Sequence, residues 1–148
     1  MTDSVNSREL VLAILLAVTK DGIYSHVAIS DVLTKYQYLE KQERSFITRV
    51  SEGTLERMLE LDYIINQFSS VKVNKMKPVI RCIIRSAVYE MKYMDSVPVS
   101  ASCNEAVKLA KKKGFGKLSG FVNGVLRNIG RNLDKIAYPD KKKAYKQY

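Results

Sequence analysis

Few residues capable of covalent chemistry occur in this sequence, and none at a spacing that assembles a site. The one histidine, His26, falls in the first turn of an expected helix with no acid–base partner nearby, and reads as a surface or capping residue. Cys82 and Cys103 are far apart and have no histidine beside them, so the four close ligands of a zinc site are missing. They read as ordinary helix residues, since a disulfide has little motive in a chain expected to be cytoplasmic. Glu40, Glu43, Glu52, Glu56, Glu60 and Asp62 interleave with Arg44, Arg49 and Arg57, the pattern of a salt-bridged solvated face rather than of paired catalytic carboxylates. Gly114-Phe115-Gly116 follows a helix pattern, not a strand, and lacks the GxxxxGK[ST] spacing, which excludes a P-loop; no strand–glycine–helix unit suggests a dinucleotide fold. The expectation is a chain with no catalytic residues, no metal ligands and no cofactor loop.

What the sequence does offer is polyanion chemistry. Residues 1–100 carry 13 Lys+Arg against 12 Asp+Glu, while residues 101–148 carry 12 against 3, so nearly all of the net charge of +10 lies in the last third. Such asymmetry points to a nucleic-acid partner on that side. Lys141-Lys142-Lys143 reads as a solubilising tail, but Lys108, Lys111, Lys112, Lys113, Lys117, Arg127 and Arg131 lie inside patterned helices. Cations at a helix C-terminus are favoured by the dipole, yet four lysines at the end of one helix exceed what capping needs.

The elements that must position these residues are helical. Seven Gly and three Pro in 148 residues leave long uninterrupted segments. The longest apolar run, Leu10 to Val18, is half the length of a membrane span, and no cationic cluster precedes it. The first helix, capped by Ser4 or Asn6 and ending near Lys20, is apolar nearly all round and should lie centrally. Arg8 in its first turn has two readings, an anion contact or a solvated surface arginine. A second helix is expected to be capped by Ser25. A third runs from about Glu40 to Leu59, with Gly53 inside it serving close packing, and a short fourth segment covers Leu61 to Phe68. Pro78 opens a fifth helix with the stripe Val79, Ile80, Ile83, Ile84, Ala87, Val88 and Met91. Arg81, Arg85 and Lys92 project opposite that stripe beside Tyr89. The preferred reading is structural, with Arg85 paired to Glu90 or to an acid elsewhere. Pro98 starts a sixth helix whose Val99, Cys103, Ala106 and Ala110 permit close contact, while Asn104 and Glu105 suit a tie to a neighbouring helix.

The seventh helix, from about Lys117 to Leu133, splits into two sectors at 100° per residue. Leu118, Phe121, Val122, Val125, Leu126, Ile129 and Leu133 form the core sector; Lys117, Gly120, Gly124, Arg127 and Arg131 form the other, flanked by Asn123 and Asn128. The two glycines remove side chains from the middle of a basic stripe, which lets a partner backbone approach. A packed protein helix and a phosphate backbone both fit such a stripe; the basic rim favours phosphate. Phe121 sits on the seam, where an aromatic ring can stack on a base.

In this order the signals resemble the NusB-like family of all-helical RNA-binding domains over roughly residues 5–134. The resemblance is carried by Ile84-Arg85-Ser86-Ala87-Val88-Tyr89-Glu90, Val97-Pro98, Asn104-Glu105-Ala106-Val107-Lys108-Leu109-Ala110-Lys111 and Phe121-Val122-Asn123-Gly124-Val125-Leu126. It implies an all-α bundle of about seven helices in two small subdomains around the apolar first helix. It also implies one of two settings. The first is a stand-alone transcription antitermination factor, which binds leader RNA with a ribosomal protein. The second is the N-terminal domain of the small-subunit ribosomal RNA cytosine-5 methyltransferases of the RsmB (Sun) type. Tyr24-Ser25-His26-Val27-Ala28-Ile29, Glu43-Arg44-Ser45-Phe46-Ile47-Thr48, Gly53-Thr54-Leu55-Glu56-Arg57 and Gly120 to Ile129 look more like the second. Arg127 stands where the antitermination factor usually has an acid, and only Arg8 stands where that factor tends to carry several basic residues.

The expectation is therefore an RNA-binding domain over residues 1–134 with a basic linker or tail over 135–148. It is non-catalytic by itself and presents 16S ribosomal RNA to a methyltransferase domain in cis; the alternative is the antitermination factor. S-adenosylmethionine and two catalytic cysteines would belong to a following domain, and Cys82 and Cys103 do not correspond to those cysteines. Under this reading the chain is an excised N-terminal domain or a free-standing relative, and its linker-like end fits excision. The expected partners are RNA, a ribosomal protein and that cis domain, with no membrane. The expected RNA-binding residues are Arg8, Lys111, Lys112, Lys113, Lys117, Ser119, Phe121, Asn123, Arg127 and Arg131. Arg127→Glu is expected to weaken RNA binding with little effect on thermal unfolding.

Overall fold

Helix boundaries in the computed structural model, which describes residues 6–136 and Tyr138, follow local capping chemistry. Helix α1 (Ser7–Thr19) begins at Asn6, whose side-chain oxygen accepts from the Glu9 amide at 2.9 Å; Ser4, the other expected cap, lies outside the described residues. Helix α2 spans Ser25–Lys35. Ser25 is its first residue and not its cap, because Tyr24 holds the cap position and makes no side-chain bond there. Helix α3 (Lys41–Glu56) opens on a reciprocal Glu40–Glu43 capping box. Helices α5 (Pro78–Tyr93) and α6 (Val99–Lys112) each start at a proline, Pro78 as the first helical residue and Pro98 one position before it.

The α3–α4 boundary also departs from the sequence reading. Helix α3 stops at Glu56 instead of Leu59, and α4 covers Met58–Phe68, with Arg57 at φ −106° and ψ 21° as the corner. The corner lets Ile47, Val50 and Thr54 of α3 face inward while Leu61, Ile64 and Ile65 of α4 do the same from a different direction. Helix α7 spans Ser119–Arg131, and single 3-10 turns occur at Val73–Lys75, Gly116–Leu118 and Leu133–Lys135. No strand occurs among the described residues, and no helix there is long and apolar enough to cross a membrane.

The helices pack as two groups, α1–α3 and α4–α7. The first helix is central as expected, lying against α2, α3, α5 and α6 with Leu10, Val11, Leu12, Ile14 and Leu15 buried. It shares that role with α5, which touches α1, α3, α4, α6 and α7 and buries ten of its residues. Gly53 does not interrupt α3. A Cβ there would meet the Tyr89 ring at 2.2 Å, so the glycine permits α3 to close on α5.

Charged residues inside the bundle are wired to one another. Arg85 donates to both carboxylate oxygens of Asp62, at 2.7 and 2.8 Å, which ties α5 to α4. Glu90, 2% exposed, accepts from Arg8 of α1 at 2.7 Å and from Ser102 of α6 at 3.0 Å. Lys92 and Tyr93 both reach Glu60. The basic face expected as one reading of α5 is thus consumed in structural pairs. Beyond α7, Tyr138 sets its ring 6.3 Å from that of Tyr63 and beneath the Lys92 ammonium at 4.5 Å. The rest of the expected tail after Ile136, with Lys141–Lys143, lies outside the described residues.

Candidate nucleic-acid interface

The sharp turn between α6 and α7 is built by Gly114. At φ +88° it adopts the left-handed conformation that ends helices. The Phe115 amide then bonds to the Ala110 carbonyl at 2.9 Å and the Gly114 amide to Lys111 at 3.1 Å, the paired bonds of a Schellman ending. The chain passes through the Gly116–Leu118 turn, where the Ser119 hydroxyl donates to the Gly116 carbonyl at 2.7 Å, and enters α7. Helices α6 and α7 cross closely: a Cβ on Gly130 would lie 2.7 Å from a Val99 methyl.

Helix α7 is shorter than expected, since Lys117 lies in the 3-10 turn before it and Leu133 in the one after it, but it divides as its sequence projects: Val122, Val125, Leu126 and Ile129 are buried, whereas Gly120, Gly124 and Arg131, with Lys117 just before the helix, are exposed. Nothing lies within 4 Å of a Cβ built on Gly120 or Gly124. These two glycines therefore form an open strip on the surface, and no helix of the described residues packs there.

The ten expected site residues fall into three groups. Lys111, Lys117 and Arg131 are exposed, and their side chains have no hydrogen bond or ion pair among the described residues. Phe121 is half-buried on the seam. The second group is held by the protein. Arg127 donates to Asn123 at 3.1 Å and, across the helix pair, to Asn104 at 2.8 Å. Asn104 thereby makes the inter-helix tie its polarity suggests and belongs with the site. Arg127→Glu, expected to have little effect on thermal unfolding, would remove these two bonds. Ser119 is engaged with Gly116, as above.

The third group sits at the junction with α1. Glu9 receives Lys112 at 2.9 Å and Lys113 at 2.8 Å. Its carboxyl is held below the usual carboxylate range, first by the bond from Lys113 and then by that from Lys112. Arg8 adopts neither of its two readings alone. It is bonded to Glu90 and lies 5.1 Å from the Phe46 ring centre, leaving its side chain 24% exposed.

Sequence reasoning missed a further basic cluster. Lys72, Lys75 and Lys77, in the link between α4 and α5, are exposed and their side chains lack ion pairs among the described residues. Lys75 and Lys77 border the same groove as Phe121. The signal in the sequence is the spacing of three lysines just before Pro78, but nothing local reveals that this link folds against the start of α7.

Among the described residues no group of three His, Cys, Asp or Glu side chains could hold a metal. Cys82 and Cys103 are both buried and free, and burial pushes both thiols up. His26 is exposed and stacks on Tyr24 at 6.0 Å.

Known proteins share both the sequence and the fold. The probable ribosomal RNA small subunit methyltransferase B of Bacillus subtilis (strain 168) is 35% identical over 124 residues, covering 84% of this chain and 27% of that protein. The chain thus spans about a quarter of the length of that relative. The transcription antitermination protein NusB of the same organism is 35% identical over 130 residues, covering 87% of this chain and 95% of that protein. A crystal structure of antitermination factors NusB and NusE in complex with dsRNA contains a chain that superimposes with a TM-score of 0.77 at 22% identity, over 84% of this chain and 93% of that one. A sequence profile described as the NusB family matches residues 5–131. This chain belongs to the NusB family.

Proposed function

We propose that the chain binds RNA through the α6–α7 face and acts as a non-catalytic recognition module for ribosomal RNA. The observation that carries this reading is the open glycine strip of Gly120 and Gly124, flanked by the unpaired cations Lys117 and Arg131 and by Phe121. A sugar–phosphate backbone can lie against bare helix backbone, take its countercharges from the lysines and arginines, and turn a base onto the phenylalanine ring. Asn123 and Arg127 mark the middle of the strip, with Lys111 to Lys113 and Ser119 at its upstream end. Arg8 contributes by the cation it keeps partly exposed beside Glu90.

The setting proposed is the N-terminal position of an S-adenosylmethionine-dependent cytosine-5 methyltransferase acting on 16S ribosomal RNA, with catalysis in another domain. Support comes from the similarity to methyltransferase B and from Arg127, a base where the antitermination factor usually carries an acid. A second reading is the antitermination factor itself, favoured by a match along 95% of the Bacillus subtilis NusB sequence. It adds a ribosomal protein to the partners; the superimposed NusB chain is in a complex with NusE and dsRNA. RNA-free capture of that class of ribosomal protein by the purified chain supports the second setting; its absence alongside intact RNA binding supports the first.

The RNA surface itself is tested by Gly124→Leu. The substitution adds bulk without changing charge, on an exposed helical position where the added Cβ meets no protein atom. Single-stranded RNA affinity should fall about tenfold or more, the size of losing one stacked base, while thermal unfolding stays level or rises. Unchanged affinity would remove the strip from the interface.

A further inference from the structure

We infer that the groove between the Val71–Lys77 link and the start of α7 receives one unpaired base of the bound strand, with Lys75 and Lys77 holding the phosphates beside it. The inference rests on the RNA-binding reading above and extends it to a wall that the α6–α7 face does not include. The groove has a volume of about 280 Å³. Met76 and Ile80, 6% and 1% exposed, form its floor with Leu118. The half-buried Phe121 and the exposed Val71 also line it, as do the exposed Lys75 and Lys77. No acid lines it.

That combination selects the occupant. A nucleobase offers two flat apolar faces and is flanked along its chain by two negative charges. An apolar floor, one aromatic ring and unpaired cations in its lining meet both requirements. A plain apolar peptide side chain would use the floor and leave the lysines without a role. The groove is also continuous with the proposed RNA face, because Leu118 and Phe121 belong to the first turns around Lys117 and Ser119.

The link that carries the lysines is held in place from behind. Arg81 donates to the backbone carbonyls of Val73 at 3.0 Å, of Met76 at 2.9 Å and of Asn74 at 3.4 Å. Asn66 accepts from the Val73 amide at 2.9 Å. These bonds satisfy the link's backbone and fix its course across the groove, so little ordering remains to be done when a strand arrives. This gives Arg81 a positioning role behind the groove.

The test uses the intact chain and a fluorescein-labelled oligouridylate of about 12 nucleotides, within the span such surfaces cover, carrying 4-thiouridine for photocrosslinking. The variant is Lys75→Gln/Lys77→Gln; both positions are exposed, so circular dichroism should match the parent. The expected result is a several-fold loss of affinity at low salt. The slope of log affinity against log salt should flatten by about 1.4, from two lost phosphate contacts on a single strand. Crosslinks in the parent should map to peptides containing Met76 or Phe121. If the parent binds the oligonucleotide and the variant matches it in affinity and slope, the groove is overturned while the RNA-binding reading stands. Crosslinks confined to other peptides overturn the base-in-groove assignment in the same way. A parent that binds no RNA overturns both.

Discussion

Two sets of cations in this bundle are used in opposite ways. On α5 and its neighbours, Arg81, Arg85 and Lys92 are each bonded to a carbonyl or carboxylate of the protein, and Arg8 joins them through Glu90. At the two ends of α7 and the end of α6, Lys111, Lys117 and Arg131 have no such partner among the described residues, and neither do Lys72, Lys75 and Lys77 of the α4–α5 link. The glycines divide the same way. Gly53 and Gly130 are filled against by Tyr89 and Val99, whereas Gly120 and Gly124 face open space. A basic residue or a glycine therefore says little until its surroundings are known. One set of these residues holds helices together; the other is left open to solvent.

That contrast can be broken most severely at Asp62. Asp62→Ala leaves Arg85, 8% exposed, as a buried unpaired charge, and should destabilise the protein by about 3–5 kcal/mol in urea denaturation. The glycine comparison comes next. Gly53→Ala forces a methyl into the Tyr89 ring and should cost about 1–3 kcal/mol through overpacking. Gly124→Ala meets nothing and should stabilise by up to about 1 kcal/mol through helix propensity. Equal effects at the two glycines would undo the distinction.

A smaller effect is expected at Glu9, which bonds two lysines of the α6 ending. Its carboxyl is held low by Lys113 and Lys112, so the stabilisation is present above the ordinary carboxylate range and is lost as pH falls through the lowered value. Glu9→Gln should remove that acid-side dependence from the unfolding midpoint. It should also raise RNA affinity modestly by releasing two lysines. Smallest of all, alkylation of Cys82 and Cys103 under native conditions at neutral pH should be slow, because both thiols are buried and raised, and should become fast on unfolding.

Much of the fold was legible because apolar periodicity and a few breakers mark the helices. Pro78, Pro98 and Gly114 each stand at the boundary their chemistry demands. The corner at Arg57 was not legible, since no glycine or proline marks it and the turn is set by how α3 and α4 reach the core. Within the site, the division of α7 follows directly from its sequence. The Arg127–Asn104 and Glu9–lysine bonds do not, because they join residues distant in the chain. The lysines of the Val71–Lys77 link were invisible for the same reason: a lysine-rich turn reads as solvated until its neighbour is known.

The most direct test of the central claim is a salt-series titration of single-stranded RNA with the parent chain and with Lys117→Glu/Arg131→Glu. Both residues are exposed, so the fold should persist in the variant. The parent should show affinity that falls linearly in log–log form with salt. The variant should bind about tenfold or more weakly, with a slope shallower by about 1.4. Superimposable curves for the two proteins, or a parent with no salt-dependent RNA affinity, would contradict the account.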